Sequence, residues 1–180
     1  KHDKNGNTVW SITLDGLWNQ YLSDIERLND GNYIFTGGFG DNIGYRFFLL
    51  KVSPTGTLIW RKDYGIPHPG ENLGKNIVKE NADGSLHIAT QFRQNGLSFS
   101  DRLHYIKTDP SGVILFAKFY TPPNPITIMR INDMIIKDGY SFIAGGHLFQ
   151  SNLAGWVLKI STSNGDVSWS KYYDFNNGPS

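Results

Sequence analysis

A segment that recurs about every 53 residues constrains this 180-residue chain more than any other feature of its sequence. The segment is a short turn with a glycine, followed four positions later by an aromatic residue, and it occurs at residues 3–10, 53–60, 109–116 and 162–169. Two further markers keep the same period: an Asp-Gly pair at 30–31, 83–84 and 138–139, and a strand-like run ending in Lys51, Lys107 and Lys159. Three markers in one register indicate an array of similar structural units.

Each repeat has the pattern of four short β-strands joined by turns. The first strand ends at the Asp-Gly pair, which opens a hairpin into the second strand. A polar loop of variable length leads to the lysine-ended third strand, and a tight turn leads to the fourth. In that turn Pro54 and Pro110 preset φ at the second position, and glycine accepts a positive φ at the fourth. Four strands in every ~40 to 50 residues is the spacing of a propeller blade.

We therefore predict an all-β chain that forms part of a β-propeller. Complete four-stranded blades are expected at about 21–64, 73–120 and 128–173, as read from the repeat. Residues 1–16 are expected to supply the outer strand of a preceding blade, and residues 174–180 the start of a further repeat. Three blades would leave two open apolar sheet faces, so we expect a fragment of a larger ring, covered by the remainder of its own propeller or by another copy.

The composition supports strands and turns and excludes several classes of partner. Aromatic residues make up 14% of the chain and glycine occurs 20 times, a combination that suits pleated surfaces and turns. The 17 basic and 16 acidic residues are interspersed, so there is no basic stripe for nucleic acid. There is no cysteine for a disulfide or thiolate metal site, and no apolar run approaches the ~20 residues of a membrane helix.

Several motifs resemble a family of secreted or surface-anchored bacterial and archaeal propeller repeats. The family pattern contains D-G-G-Y-I and K-x-D-x-x-G-x-x-x-W, and this chain has Asp-Gly-Asn-Tyr-Ile at 30–34 and Lys-Thr-Asp-Pro-Ser-Gly at 107–112. It departs from the pattern at Ser85 and Ser141, and at Phe116 in place of tryptophan. The resemblance spans nearly the whole chain and implies a secreted or cell-surface bacterial location.

The turn and fourth strand also resemble the tryptophan-docking motif of quinoprotein-type propellers. In that motif the aromatic residue of one blade packs on the glycine turn of its neighbour. The resemblance implies that blades are docked by Trp10, Trp60, Phe116 and Trp169 on turns that contain Gly6, Gly56, Gly112 and Gly165. It does not imply a cofactor, since scaffold propellers without cofactors carry the same motif, and we expect none.

Residues that differ between repeats are the better candidates for function, because recurring residues are explained by blade geometry. In a propeller, the loops from fourth to first strands and from second to third strands open on one face. We call it the loop face. Its candidate ligand-binding residues are Trp18, Tyr21, Asp41, Arg46, His68, Glu71, Arg93, Asp101, Arg102, His147 and Phe149. Mixed aromatic and charged groups suit a glycan or a protein ligand, although ordinary solvated loops have a similar composition.

Catalytic and metal-binding patterns are absent from the sequence. The five histidines lack the spacing of metal ligands, and His87 and His104 fall inside predicted strands, where a structural role is expected. Asp24, Asn76 and Asp133 recur before first-strand hydrophobic residues and could bind a cation, cap turns or bond between blades. We predict no catalytic residue and no metal site.

The sequence thus favours a non-catalytic propeller segment of an exported bacterial surface protein, acting as a scaffold or as a platform for a glycan or protein. The alternative is part of a propeller enzyme, of quinoprotein dehydrogenase or polysaccharide-degrading type, whose catalytic residues lie outside this segment. A bound quinone or a stoichiometric metal would separate the two.

Overall fold

The chain folds into three antiparallel β-sheets that follow one another in sequence. The computed structural model describes residues 1–13, 20–41, 44–65, 70–71, 75–94, 101–120, 128–149, 152–174 and 178–179. Within those ranges there are 14 strands and no helix. The prediction of an all-β chain with three antiparallel sheets of four main strands is confirmed, and the second and third sheets each contain one additional two-residue strand.

In sheets 1 and 3 the strands are ordered as they are along the chain, and sheet 2 departs from this order only at its first two strands. Sheet 1 consists of β1 (Gln20–Arg27), β2 (Tyr33–Asp41), β3 (Gly44–Val52) and β4 (Leu58–Tyr64). Sheet 2 consists of β5 (Gly70–Glu71), β6 (Asn76–Glu80), β7 (Leu86–Gln94), β8 (Asp101–Thr108) and β9 (Ile114–Tyr120), with both β5 and β6 paired to β7. Sheet 3 consists of β10 (Ile128–Lys137), β11 (Tyr140–Phe149), β12 (Asn152–Ser161), β13 (Val167–Asp174) and β14 (Gly178–Pro179).

The recurring lysine has a structural explanation in sheets 1 and 2. Lys51 at the end of β3 forms an ion pair with Asp30 of the Asp-Gly turn, with 2.7 Å between Nζ and Oδ2. The equivalent pair, Lys107 with Asp83, measures 3.5 Å. In sheet 3 the ammonium of Lys159 instead lies 3.8 Å from the centre of the Tyr140 ring. The lysine therefore fastens the third strand to the first hairpin of the same sheet, which explains why both markers share one period.

The hydrophobic core lies between the sheets. Side chains alternate across a strand, so Phe47 and Leu49 of β3 point towards sheet 2, whereas Phe48 and Leu50 point the opposite way. The first pair packs with Val78 and its neighbours in sheet 2. A larger cluster, centred on Tyr105, Met134 and Ile143, fills the space between sheets 2 and 3. Each sheet is thus held mainly by its neighbour in the sequence.

The amino-terminal segment pairs with none of the described strands. Residues 1–16 were predicted to supply the outer strand of a preceding blade, which stays a prediction, and residues 1–13 contain one isolated bridge, between His2 and Thr8. Residues 14–16 lie outside the described part of the chain. A strand requires a paired neighbour, and none of the described strands pairs with this segment. It still packs on sheet 1, where Trp10 and Ile12 cover Phe48 and Leu50.

Candidate functional site

Three aromatic side chains each lie on a glycine turn in the next repeat. The pairs are Trp10 with Gly56, Trp60 with Gly112, and Phe116 with Gly165. A Cβ atom at Gly56 would lie 2.8 Å from ring carbons of Trp10, and one at Gly165 would lie 2.8 Å from the Phe116 ring. The aromatic ring therefore occupies the volume that any larger residue in the turn would need. We call each of these aromatic-on-glycine contacts a joint.

Each joint also contains a hydrogen bond between the two repeats. The indole N–H of Trp10 donates to the carbonyl oxygen of Pro54 over 2.9 Å. The Tyr64 hydroxyl, four residues after Trp60, donates to the carbonyl oxygen of Gly112 over 2.7 Å, and Tyr120 donates in the same way to Gly165. Burial, with a smaller contribution from Asp109, raises the pKa of Tyr64 well above its ordinary value. The phenol therefore remains a donor at any physiological pH.

We expect Gly112→Ala to destabilise the protein more than Gly31→Ala. Both glycines have a positive φ, +83° and +85°, so either alanine is strained by about 1 to 2 kcal/mol. At Gly112 the new methyl group would also meet the Tyr64 hydroxyl at 2.8 Å, whereas at Gly31 nothing lies within 4 Å. Urea unfolding should therefore show an additional loss of about 1 to 3 kcal/mol for Gly112→Ala. Equal losses would mean that the joint tolerates extra volume.

The fourth aromatic residue, Trp169, makes a different set of contacts. Its ring lies near Phe142 of its own sheet, with 6.2 Å between ring centroids, and the ammonium of Lys171 lies 5.8 Å from its centre. The side chain is 37% exposed. At the other end of the chain, nothing lies within 4 Å of the position that a Cβ atom would take at Gly6. Trp169 and Gly6 therefore belong to the predicted docking set but form no joint with each other or with the other described residues.

Most of the predicted loop-face residues lie at strand ends or beyond the described ranges. Trp18 and His68 lie outside the described residues. The structure gives only backbone positions for Asp41, Glu71, Arg93, Asp101, His147 and Phe149, all at or near the strand ends that flank the loops. Three of these come together across sheet 2, where Glu71 is paired with Arg93 and Arg93 with Asp101.

Side chains are described for the other three candidates. The Tyr21 ring covers Gly38 of β2 and is 40% exposed. Arg46 is half-buried and lies opposite Phe39 in the β2–β3 pairing. Arg102, near the start of β8, has a buried Nε atom with no hydrogen-bond partner among the described residues. Tyr21 thus has a packing role, whereas Arg102 retains a donor for a further group.

A cavity lies between sheets 2 and 3, at the end of sheet 2 that contains Arg102. It was not predicted from the sequence. It has a volume of about 330 Å³ and is lined mainly by apolar and aromatic side chains: Leu103, Phe119, Tyr120, Met129, Trp156 and Tyr172. Tyr120 ends β9 and Met129 lies near the start of β10, so the cavity lies at the end of these two strands where the sequence predicts the loop face.

One substitution between repeats explains the cavity. Phe47 in sheet 1 is paired with Tyr64, and the two rings stack with 4.8 Å between centroids and an interplanar angle of 8°. The equivalent pair in sheet 2 is Leu103 with Tyr120. Leucine is shorter than phenylalanine, so the space beside Tyr120 is left unfilled. The aligned repeats show this difference, because Leu103 lies four positions before Lys107, as Phe47 lies four positions before Lys51.

The two strand histidines are buried and belong to the interior. The Nδ1 atom of His87 lies 2.6 Å from the Tyr105 hydroxyl, which in turn is hydrogen-bonded to Ser141 of sheet 3. His104 stacks on Phe119, with 4.1 Å between centroids, and its Nδ1 atom has no hydrogen-bond partner among the described residues. Burial lowers the pKa of each to about 4. Both imidazoles are therefore neutral at pH 7 and face packed side chains.

The recurring Asp24 forms a hydrogen bond between sheets. Its Oδ2 atom accepts from the backbone N–H of Val78 over 3.1 Å, and Lys79 lies 3.9 Å away. Lys79 also pairs with Glu26 over 2.8 Å. These contacts favour the inter-blade explanation of this position over a cation site. The described residues contain no group of three or more histidine and carboxylate side chains that could hold a metal ion.

Comparisons with known proteins leave the fold and the sites of this chain to be argued from its own residues. The chain matches no protein-family model and no curated protein sequence. Among the described residues, no helix has the length and apolar character needed to span a membrane.

Proposed function

We propose that this chain is a run of three β-propeller blades that acts as a non-catalytic scaffold and presents a binding platform for a glycan or a protein. One observation carries the proposal: the same aromatic-on-glycine contact joins successive repeats three times, at Gly56, Gly112 and Gly165. A similar contact between equivalent elements favours a similar rotation at each step. A constant rotation between stacked sheets generates a ring when it closes.

The use of the recurring residues supports a scaffold. The aromatic residues and turn glycines of the three joints and the two lysine-aspartate pairs are engaged within or between sheets. His87 is hydrogen-bonded in the interior and His104 is stacked there, which leaves neither placed as a solvent-facing acid or base. The recurring groups therefore serve the architecture, and a ligand must be bound by residues that differ between the repeats.

The end of sheets 2 and 3 that carries the cavity is the best candidate for the platform. Its walls combine aromatic rings with the hydroxyl groups of Tyr120 and Tyr172. Rings that stack on a sugar face or an apolar side chain, beside a few polar groups, are typical of such sites. Arg102 contributes a buried donor at the same end of sheet 2. The exported bacterial surface location is proposed from the resemblance of the repeat motifs alone.

The platform is tested with Phe119→Ala and Leu115→Ala on an array of immobilised oligosaccharides. Both side chains belong to β9 and are exposed, but only Phe119 lines the cavity. Loss of a stacking ring should weaken binding at least about tenfold for Phe119→Ala and leave Leu115→Ala unchanged. Equal binding by both variants would show that the cavity does not contribute to ligand binding.

The non-catalytic character is tested on the purified protein itself. An ultraviolet-visible spectrum and elemental analysis should show neither a bound quinone nor a stoichiometric metal. Either one would contradict the scaffold proposal and favour a propeller enzyme.

A further inference from the structure

The two ends of the sheet array present the two halves of a joint. Trp169 in β13 is paired with Lys159, as Trp60 is paired with Lys51 and Phe116 with Lys107. Trp169 therefore occupies the docking position of its sheet. Tyr173, four residues later, is 39% exposed, whereas its equivalent Tyr64 is 8% exposed because a glycine turn covers it.

The amino-terminal turn has the conformation of a turn that receives an aromatic ring. Gly6 has φ +83°, the same value as Gly112 in the joint with Trp60. Asp3 accepts hydrogen bonds from the backbone N–H groups of Asn5 and Asn7 over 2.8 and 2.9 Å. Asp109 accepts the equivalent bonds from Ser111 and Val113, each over 2.8 Å. The turn is therefore preformed, and the space over Gly6 is open.

The charges at the two ends are complementary in the way that the existing joints are. Lys118 of sheet 2 forms an ion pair with Asp166 in the turn of the next repeat, over 2.8 Å. Lys62 lies close enough to Asp109 to help lower the pKa of that carboxyl group, after its hydrogen bonds to Val113 and Ser111. The equivalent lysine of sheet 3 is Lys171, and Asp3 takes the place of Asp109 in the amino-terminal turn.

We propose that a second copy of this chain docks head to tail, with Trp169 of one copy on the Gly6 turn of the next. The inference rests on the same joint as the proposed function and does not involve the ligand-binding cavity. Tyr173 donates to the Gly6 carbonyl oxygen as Tyr64 does to Gly112, and Lys171 pairs with Asp3. Such an interface joins two different surfaces, so it leads to a closed ring, of which two copies joined by two such contacts are the smallest, or to an open filament.

Sedimentation velocity on the whole chain, from about 1 to about 200 μM, tests the interface. Wild type should associate over this range. Trp169→Ser removes the ring, and Gly6→Asn fills the space over the turn with a residue that tolerates positive φ. Each variant alone should need at least about tenfold more protein to associate. Leu115→Ser, which removes an exposed apolar side chain of β9 outside the joints, should behave as wild type.

Mixing the two variants gives the decisive result. Trp169→Ser retains a working Gly6 turn and Gly6→Asn retains a working Trp169, so the mixture can form one joint and should sediment as a one-to-one heterodimer. Tyr173→Phe removes only a hydroxyl group at the same joint and should also weaken association. It is the variant to use if circular dichroism shows that Gly6→Asn is unfolded. A wild type that is monomeric throughout, or a mixture that forms no heterodimer from folded variants, would overturn the proposal. Oligosaccharide binding by the Trp169→Ser monomer would show that the platform stands independently.

Discussion

Replacing Trp60 by alanine is expected to lower the free energy of unfolding by about 3 to 5 kcal/mol. The indole lies between sheets 1 and 2, packed against their shared core and over Gly112. Its removal leaves a void that the glycine turn cannot fill, because the turn is fixed by the hydrogen bonds of Asp109. A loss of this size is a large part of the stability of a small domain. Urea unfolding followed by circular dichroism measures it directly.

Trp169→Ala is the matched control for that experiment. Trp169 is the same type of residue as Trp60 and has the equivalent position in the equivalent strand of its sheet. It is 37% exposed, however, and no glycine turn covers it within the described chain. We expect it to change the free energy of unfolding by no more than about 1 kcal/mol when measured at a concentration where the chain is monomeric. If Trp169→Ala were as destabilising as Trp60→Ala, the cost would come from the strand position and not from the joint.

The sheets were predictable because their markers are local. An Asp-Gly pair specifies a hairpin, and alternation predicts which residues of β3 and β8 are buried on each side. Lys51 and Asp30 form an ion pair, and the equal spacing of these two residues in successive repeats had already associated them. These features depend on residues close in sequence or in register. They survive the differences in loop length between the repeats.

Side-chain packing across neighbouring strands was less predictable, because it depends on pairs of residues that change together. Gly37 leaves room for the Phe48 ring, and Gly145 leaves room for the Trp156 ring. In sheet 2 both members of the pair differ, and Thr90 stands opposite His104. The smaller imidazole accepts the threonine side chain, so one altered pair preserves the packing. A single repeat read alone shows only a histidine inside a strand.

The loop-face residues were the least predictable part. The sequence places Glu71 in one loop and Arg93 and Asp101 in another, whereas the structure has their backbones in register on neighbouring strands of sheet 2. The cavity arises from one missing ring, at Leu103, and although the aligned repeats show the change from phenylalanine to leucine, that change alone does not predict a cavity. Variation between repeats indicated which end of the sheets carries the candidates. The shape of the site could not be predicted, because it depends on how sheets 2 and 3 pack together.

We expect the stability of the protein to fall steeply between pH 6.5 and pH 4. Burial lowers the pKa of His87 and of His104 to about 4, against an ordinary value of 6.5. Between these values the unfolded chain binds protons that the folded chain excludes, so the free energy of unfolding decreases as the pH falls. Each buried histidine should remove roughly 3 kcal/mol over this window, at about 1.4 kcal/mol per pH unit. Below pH 4 neither contributes any further loss.

Urea unfolding of wild type, His87→Gln and His104→Gln at several pH values between 7 and 4 separates the two contributions. Glutamine can hydrogen-bond to the Tyr105 hydroxyl but does not titrate, so each variant should show about half of the wild-type slope and the double variant almost none. Asp83, whose pKa is lowered to about 2 mainly by its hydrogen bond from Ser85, loses its contribution only at still lower pH. It therefore does not confuse the measurement. A double variant that retains the full slope would assign the acid sensitivity to other groups and would mean that the two histidines titrate in the folded protein near their ordinary pKa.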